Sequence, residues 1–214
     1  YFQPSFYGVE ESTGLLNYDE IQKRAEQERP DLIICGASAY SRDIDYVRFR
    51  SIADSVGALL MADISHPSGL IAKGVLNDPL PHCHVVTTTT HKTLRGPRGG
   101  CILTTAEHAA AIDKAVFPGW QGGPQENAIA GKAIAFREAA TAEFAEYAHR
   151  IVANAAALAA ALADEGFRMV SGGTDTHMIV VDLRPFDAEL TGKQAQATLD
   201  EAGITLNKNT VPDD

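Results

Sequence analysis

Short β-branched runs alternate with helical patterns through the first half of the chain, and this alternation constrains its fold most. Residues 32–35 (LIIC), 58–63 (ALLMAD) and 85–90 (VVTTTT) are apolar or β-branched runs of strand length. Between the first two, residues 45–56 place Val47, Phe49, Ile52 and Val56 roughly on one face of a helix that Gly57 stops. Ahead of them Asn17 stands where it can cap a helix over YDEIQKRAEQE, which Pro30 ends. Parallel strands need long crossover connections, usually helical, so this order predicts an α/β fold built on a mostly parallel sheet with crossover helices. After a Gly-rich turn, residues 101–105 (CILTT) read as one more strand.

The second half changes character. Residues 126–163 are dominated by Ala, Leu, Glu and Lys and contain no proline, which predicts one long helix or two joined at a kink. The alanine clusters at 155–157 and 159–161 need no reading beyond helix propensity. Residues 167–170 (FRMV), 178–183 (MIVVDL), a helix over 191–202 and residues 204–207 (ITLN) predict a small α+β unit, with a domain boundary near residue 140. The final NKNTVPDD is turn-like and finishes no element, so the chain reads as a piece of a longer polypeptide.

Composition narrows the function classes. The formal net charge is −10, which argues against general nucleic-acid binding, because phosphate recognition needs a clustered basic surface. Hydrophobic residues make up 45% and charged residues 21%, so the chain can bury a core and is not disordered. No apolar run approaches the roughly 18–20 residues that span a bilayer, and YFQPSFYGVE lacks the regions of a signal peptide. A cytoplasmic protein is expected. Cys35, Cys83 and Cys101 are too scattered for a disulfide framework and are expected to be reduced. His82-Cys83-His84 puts two imidazoles on one face of an extended segment, but no second coordinating pair exists to close a zinc site, so no metal is expected. Neither GxGxxG nor GxxxxGK occurs, which leaves nucleotide binding without support.

In open α/β sheets, ligands bind in the crevice at the carboxyl ends of the strands. Three polar clusters lie there: 36–41 (GASAYS), 63–66 (DISH), and the threonines running into His91 and Lys92. Any one lysine is most simply a surface lysine, and a strand-end aspartate such as Asp63 often caps the next helix, here one starting near Pro67. Together, however, a strand-end lysine and a strand-end aspartate meet the needs of pyridoxal phosphate. Its aldehyde forms a Schiff base with a lysine amine, and its pyridine nitrogen withdraws electrons only when protonated, a state that a buried carboxylate favours.

The stretch VVTTTTHKTLRGPRGG, together with GASAYSR, ADISHPSGL, FPGWQGGP, SGGTDTH and NKNTVP, resembles the serine hydroxymethyltransferase family of fold-type-I pyridoxal phosphate enzymes. These motifs occur in the family's order along all 214 residues. The resemblance implies an aminotransferase-like large domain over residues 1–140, incomplete at its N-terminus, and a truncated small α+β domain over 141–214. It implies that Lys92 carries the Schiff base, that Asp63 pairs with the pyridine nitrogen, and that Ser38 and His66 lie near the phenolic oxygen. His91 matches a position that tunes substrate and reaction specificity, and Thr89 lines the same pocket. Gly122 and Gly123 resemble the loop that one subunit lends to the cofactor phosphate of the other, which implies a homodimer at least. Phe117 and Asn209 match positions that contact folate. No role is assigned to Arg98.

The implied activity is interconversion of serine and glycine, with the hydroxymethyl carbon passed to tetrahydrofolate as co-substrate. The family usually has alanine where Ser65 and Ser68 stand, and histidine near Asn127. The chain covers about half of a family member. The remainder would supply the Ser-Gly-Ser phosphate loop, the histidine that stacks on the ring, a Tyr and a Glu acting on the substrate hydroxyl, and the arginine that clamps the substrate carboxylate. This piece alone is therefore expected to be weakly active or inactive. The alternatives are a threonine aldolase or transaldolase on the same scaffold, and a non-catalytic fragment or homologue, whose mark would be loss of Lys92 or Asp63.

Overall fold

The computed structural model describes residues 2–212. They divide into two compact units: residues 18–38 and 43–150 with the first few residues form one, and residues 6–17, 39–42 and those from 151 onward form the other.

The first unit is built on a four-stranded sheet of order β1(Leu32–Cys35), β2(Leu59–Asp63), β3(Val85–Thr89), β4(Gly100–Thr104). The first three strands run parallel and β4 runs antiparallel to β3, so the α/β fold with a mostly parallel sheet is found as expected. The reversal at β4 has a local cause. The segment between β3 and β4 is a loop over residues 90–99, its ends drawn together by Thr90 N–H donating to Gly99 C=O at 3.0 Å, and it is too short for a crossover helix.

Helix α1 spans Tyr18–Glu28 and α2 spans Tyr46–Val56. Asp45 caps α2 by accepting the Arg48 N–H at 2.9 Å, and Gly57 ends it at φ 74°, where a side chain would be strained. The buried face of α2 differs from the expected one. Tyr46, Phe49, Ile52 and Ala53 face the core, while Val47 is 60% exposed. Phe49 is the largest side chain on the helix to be wholly buried, and centring the face on it turns position 47 outward.

The two faces of the sheet are unequal. Ile33, Cys35, Leu60, Ala62 and Val86 are buried on one, whereas Leu32, Ile34 and Leu59 on the other are 42%, 50% and 41% exposed. The register pairs Leu32 with Leu59, Ile34 with Met61, and Asp63 with Thr87, so Asp63 belongs to the open face.

A short helix α3 (Ser68–Ile71) follows β2, and α4 (Ala106–Lys114) follows β4 and runs into a wide turn over Ala115–Trp120. The alanine-rich stretch forms two helices, α5 (Glu126–Ala139) and α6 (Ala142–Asp164). They break at Thr141, whose hydroxyl accepts the Phe144 N–H at 3.2 Å. Phe144 packs with Leu94, Ala139 and Tyr147, and the Arg95 guanidinium lies over the Phe144 and Tyr147 rings at 5.0 and 4.4 Å. The division between the units falls within α6, at Arg150 and Ile151. Cys35, Cys83 and Cys101 are free thiols, and no helix of the described residues is long and apolar enough to cross a membrane.

In the second unit, β5 (Arg168–Met169) pairs antiparallel with β6 (Val181–Asp182), and α7 (Gly192–Glu201) starts at a capping box between Thr191 and Gln194. Residues 204–207, expected as a strand, form none. The Ile204 N–H turns back to the Leu199 C=O at 2.8 Å at the end of α7, no strand pairs with the segment among the described residues, and Ile204 and Leu206 are 51% and 47% exposed. The SGGTDTH motif is tied to the end of GASAYSR: Ser41 Oγ lies 2.9 Å from Ser171 Oγ and donates to Gly173 C=O at 2.8 Å. Arg42 donates to Ser171 C=O and pairs with Asp175 at 2.8 Å.

Asp182, 1% exposed, receives Arg184 Nε and Nη2 at 3.0 and 2.9 Å and pairs with Arg168 at 2.7 Å. The Arg184 hydrogen bonds hold its carboxyl below the usual carboxylate range. The stability this contributes is present above that range and is lost as pH falls through the lowered pKa. Asp182→Asn is expected to destabilise the unit by about 2–3 kcal/mol at neutral pH, and by progressively less in acid, in urea unfolding followed by circular dichroism.

Candidate active site

The parallel strands bring their carboxyl ends to one edge. Gly36 follows β1 at φ 131°, and a Cβ there would lie 2.2 Å from the Asp63 carbonyl oxygen, so only glycine lets the β1 turn pass this close to the end of β2. Asp63 does not cap α3, whose N-terminus at Pro67 has no side-chain cap. Its Oδ1 instead accepts the Ser65 N–H at 2.9 Å, an Asx turn that bends the chain away from the strand.

The loop after Asp63 is laced to the segment carrying Lys92. Thr89 N–H donates to Ser65 Oγ at 3.1 Å, and Thr89 Oγ1 donates to Ser65 C=O at 3.3 Å. Thr93 Oγ1 donates to His66 C=O at 2.6 Å and accepts the Gly69 N–H at 2.9 Å. Gly69 allows this approach, since a Cβ would sit 2.4 Å from Thr93 C=O. Lys92 therefore stands between two residues that are both tied to the loop holding Asp63 and His66, and its own side chain is exposed.

The electrostatics register that proximity. Desolvation pushes the Asp63 carboxyl up, but hydrogen bonds from Ser65 and Thr87 and the positive charge of Lys92 outweigh it and hold the group below the usual carboxylate range. Desolvation and the Lys92 charge push His66 down against the opposing pull of Asp63, so its imidazole is neutral at pH 7. Asp63 is exposed in this chain, where a buried carboxylate was expected, because it lies on the open face of the sheet.

His91 Nε2 lies 3.4 Å from Arg98 Nη1. A guanidinium only donates, so Nε2 accepts and the ring proton sits on Nδ1, which is buried without a hydrogen-bond partner. A buried N–H without an acceptor is costly and suits a ligand that supplies one. The donor set of an exposed amine, an ionised carboxylate, a neutral imidazole and an orphaned imidazole N–H fits pyridoxal phosphate.

The other candidates stand apart. Ser38 is exposed two residues beyond Gly36, and Phe117, Gly122 and Gly123 lie on an exposed loop where a Cβ on either glycine would meet nothing within 4 Å. Among the described residues no hydrogen bond or ion pair ties these four to the Lys92 segment. Asn209 belongs to the second unit and is exposed. Sequence reasoning placed Ser65 and Thr87 in the strand-end clusters without giving them a role, and it missed Thr93 and the contact from Arg98. The Asp-x-Ser spacing of an Asx turn marks the first of these, and the alternate-residue period of β3 marks the second.

The family model for serine hydroxymethyltransferase matches residues 1–214. A serine hydroxymethyltransferase of Nostoc punctiforme is 58% identical over 215 residues, covering 100% of this chain and 50% of that protein. One of Wolinella succinogenes is 56% identical over 212 residues, covering 99% of this chain and 50% of that protein. The chain spans about half the length of the curated relatives it matches.

Proposed function

The chain belongs to the serine hydroxymethyltransferase family, and from that membership we propose that the full-length protein interconverts serine and glycine and passes the hydroxymethyl carbon to tetrahydrofolate. The observation that carries the reading is the lacing of the Asp63–Gly69 loop to Thr89 and Thr93, which sets an ionised carboxylate in the field of an exposed lysine. Pyridoxal phosphate, when bound, supplies an electrophilic carbon and a protonated pyridine ring that takes up electron density from the substrate.

In this reading Lys92 presents its exposed amine as the attachment point, and among the described residues no side-chain hydrogen bond or ion pair holds it. The Asp63 carboxylate accepts the pyridine N–H and keeps the proton there through its own ionisation. His66 and Ser38 face the phenolic oxygen, the former as a neutral imidazole able to donate without adding charge. Thr89, clamped by both of its hydrogen bonds to Ser65, holds the pocket wall still. His91, with its proton directed inward on Nδ1, sets specificity, and Arg98 fixes that tautomer. Gly122 and Gly123 offer backbone N–H groups to the phosphate at a partner subunit's site, making the protein a homodimer or larger. Phe117 and Asn209 contact the folate. The division into a cofactor-binding domain over 1–140 and a small domain over 141–214, and a cytoplasmic setting, belong to the same proposal.

The test is a comparison of two cleavage reactions by the full-length protein with pyridoxal phosphate. Serine cleavage that depends on tetrahydrofolate and outpaces threonine cleavage is expected. Threonine cleavage that is faster and indifferent to folate would assign the scaffold to an aldolase instead.

A further inference from the structure

Residues 207–212 (NKNTVP) lie outside every helix and strand, so neither a ladder nor a helical repeat fixes their backbone. Side chains fix it at both ends instead. At one end the Lys208 N–H donates to Gln196 Oε1 of α7 at 3.3 Å. Gly192, the first residue of α7, lies so close that a Cβ there would come within 3.3 Å of the Lys208 Cβ. At the other end Arg184 Nη2 donates to Pro212 C=O at 2.9 Å. That guanidinium is itself held, because its Nε and Nη2 donate to the buried Asp182 carboxylate at 3.0 and 2.9 Å, and Asp182 Oδ1 also accepts the Arg184 backbone N–H at 3.0 Å. Between the two pins stand Asn209, Thr210 and Val211. Thr210 and Val211 line a cavity with Tyr40, Val170 and Val180, and Asn209 stays exposed beside them.

We propose that Arg184 and Gln196 are positioning residues for folate binding, which pin the NKNTVP segment at Pro212 and Lys208 and so hold Asn209 ready for the ligand. The proposal rests on the reading of Asn209 as a folate contact given above. A segment without regular structure that is ordered only when its ligand arrives loses affinity to the entropy of each residue fixed. Holding it beforehand removes that cost. Neither residue belongs to the groups assigned to the cofactor, so cleavage that needs no folate proceeds without them. The two pins are also separable. Replacing Gln196 leaves the Asp182–Arg184 pair intact, and replacing Arg184 leaves Asp182 paired with Arg168 at 2.7 Å.

The experiment uses the full-length protein with pyridoxal phosphate and compares wild type, Arg184→Ala and Gln196→Ala. It measures the KM for tetrahydrofolate in serine cleavage and the kcat of threonine cleavage without folate. The folate KM is expected to rise about tenfold in Arg184→Ala and about threefold in Gln196→Ala, with threonine cleavage within about twofold of wild type in both. Should Arg184→Ala fail to fold, Gln196→Ala decides alone, since α7 keeps its Thr191 cap. An unchanged folate KM in either folded variant, or a threonine rate that falls in step with the serine rate, overturns the positioning role. Failure of the underlying reading has a different signature. Asn209→Ala would then leave the folate KM at its wild-type value, while hydrogen exchange at the Lys208 amide, slow in wild type and faster in Gln196→Ala, would still report the pin.

Discussion

Lys92→Ala in the full-length protein is expected to abolish both the near-visible absorbance that appears on adding pyridoxal phosphate and all turnover beyond a first cycle, while leaving the fold intact. The side chain is exposed, and no packing depends on it. Surface substitutions of this kind usually change stability by less than about 0.5 kcal/mol, so a lost signal would report lost chemistry. The nearby hydrogen bonds do not pass through the lysine side chain. Thr89 and Thr93 still hold the loop through their own hydroxyl and amide groups, so the pocket wall should persist around the missing amine. Absorbance spectra and single-turnover against steady-state kinetics check this. An unchanged spectrum would refute the assignment of Lys92.

Asp63→Asn is the second large effect. Asparagine keeps an oxygen that can accept the Ser65 N–H now bound by Asp63 Oδ1, so the turn survives and the stability cost should be about 1 kcal/mol or less. What disappears is the negative charge that Ser65, Thr87 and Lys92 now hold in place. Without it the pyridine nitrogen has no partner that favours its protonated form, and turnover should fall by about 10²–10³. Thermal unfolding and steady-state rates measured on one preparation separate the two effects. Near-normal turnover would discredit the role given to the carboxylate.

Much of the first unit was legible in the sequence because its strands are short, apolar and punctuated. Gly57 and Pro30 end α2 and α1 as their chemistry requires, and β1 to β3 fall where the β-branched runs do. The second unit was less legible. Residues 204–207 have strand composition, but composition cannot supply a neighbour, and a strand without one does not form. The face of α2 was misjudged at Val47 because several apolar residues competed for the core and the wholly buried Phe49 decided the rotation.

The site divides along the same line. Asp63 and Lys92 could be picked out because their residue types and strand-end positions carry chemistry, and the fold brings them into one electrostatic neighbourhood. Ser65, Thr87 and Thr93 are ordinary polar residues whose importance lies in what they touch. That depends on the register of β2 against β3 and on the loop approaching Thr93, which no local pattern specifies. The exposure of Asp63 was equally out of reach, since it follows from which face of the sheet lies open.

The central claim is that the amine at Lys92, set beside the Asp63 carboxylate, is where pyridoxal phosphate attaches. The most direct measurement is peptide mapping of the full-length protein after addition of the cofactor, borohydride reduction and trypsin digestion. The account predicts one reduced pyridoxyl group on Lys92, in a peptide left uncut at that lysine because the modified side chain no longer serves the protease. A label found instead on Lys73, Lys114 or Lys132, or no label at all, would contradict it.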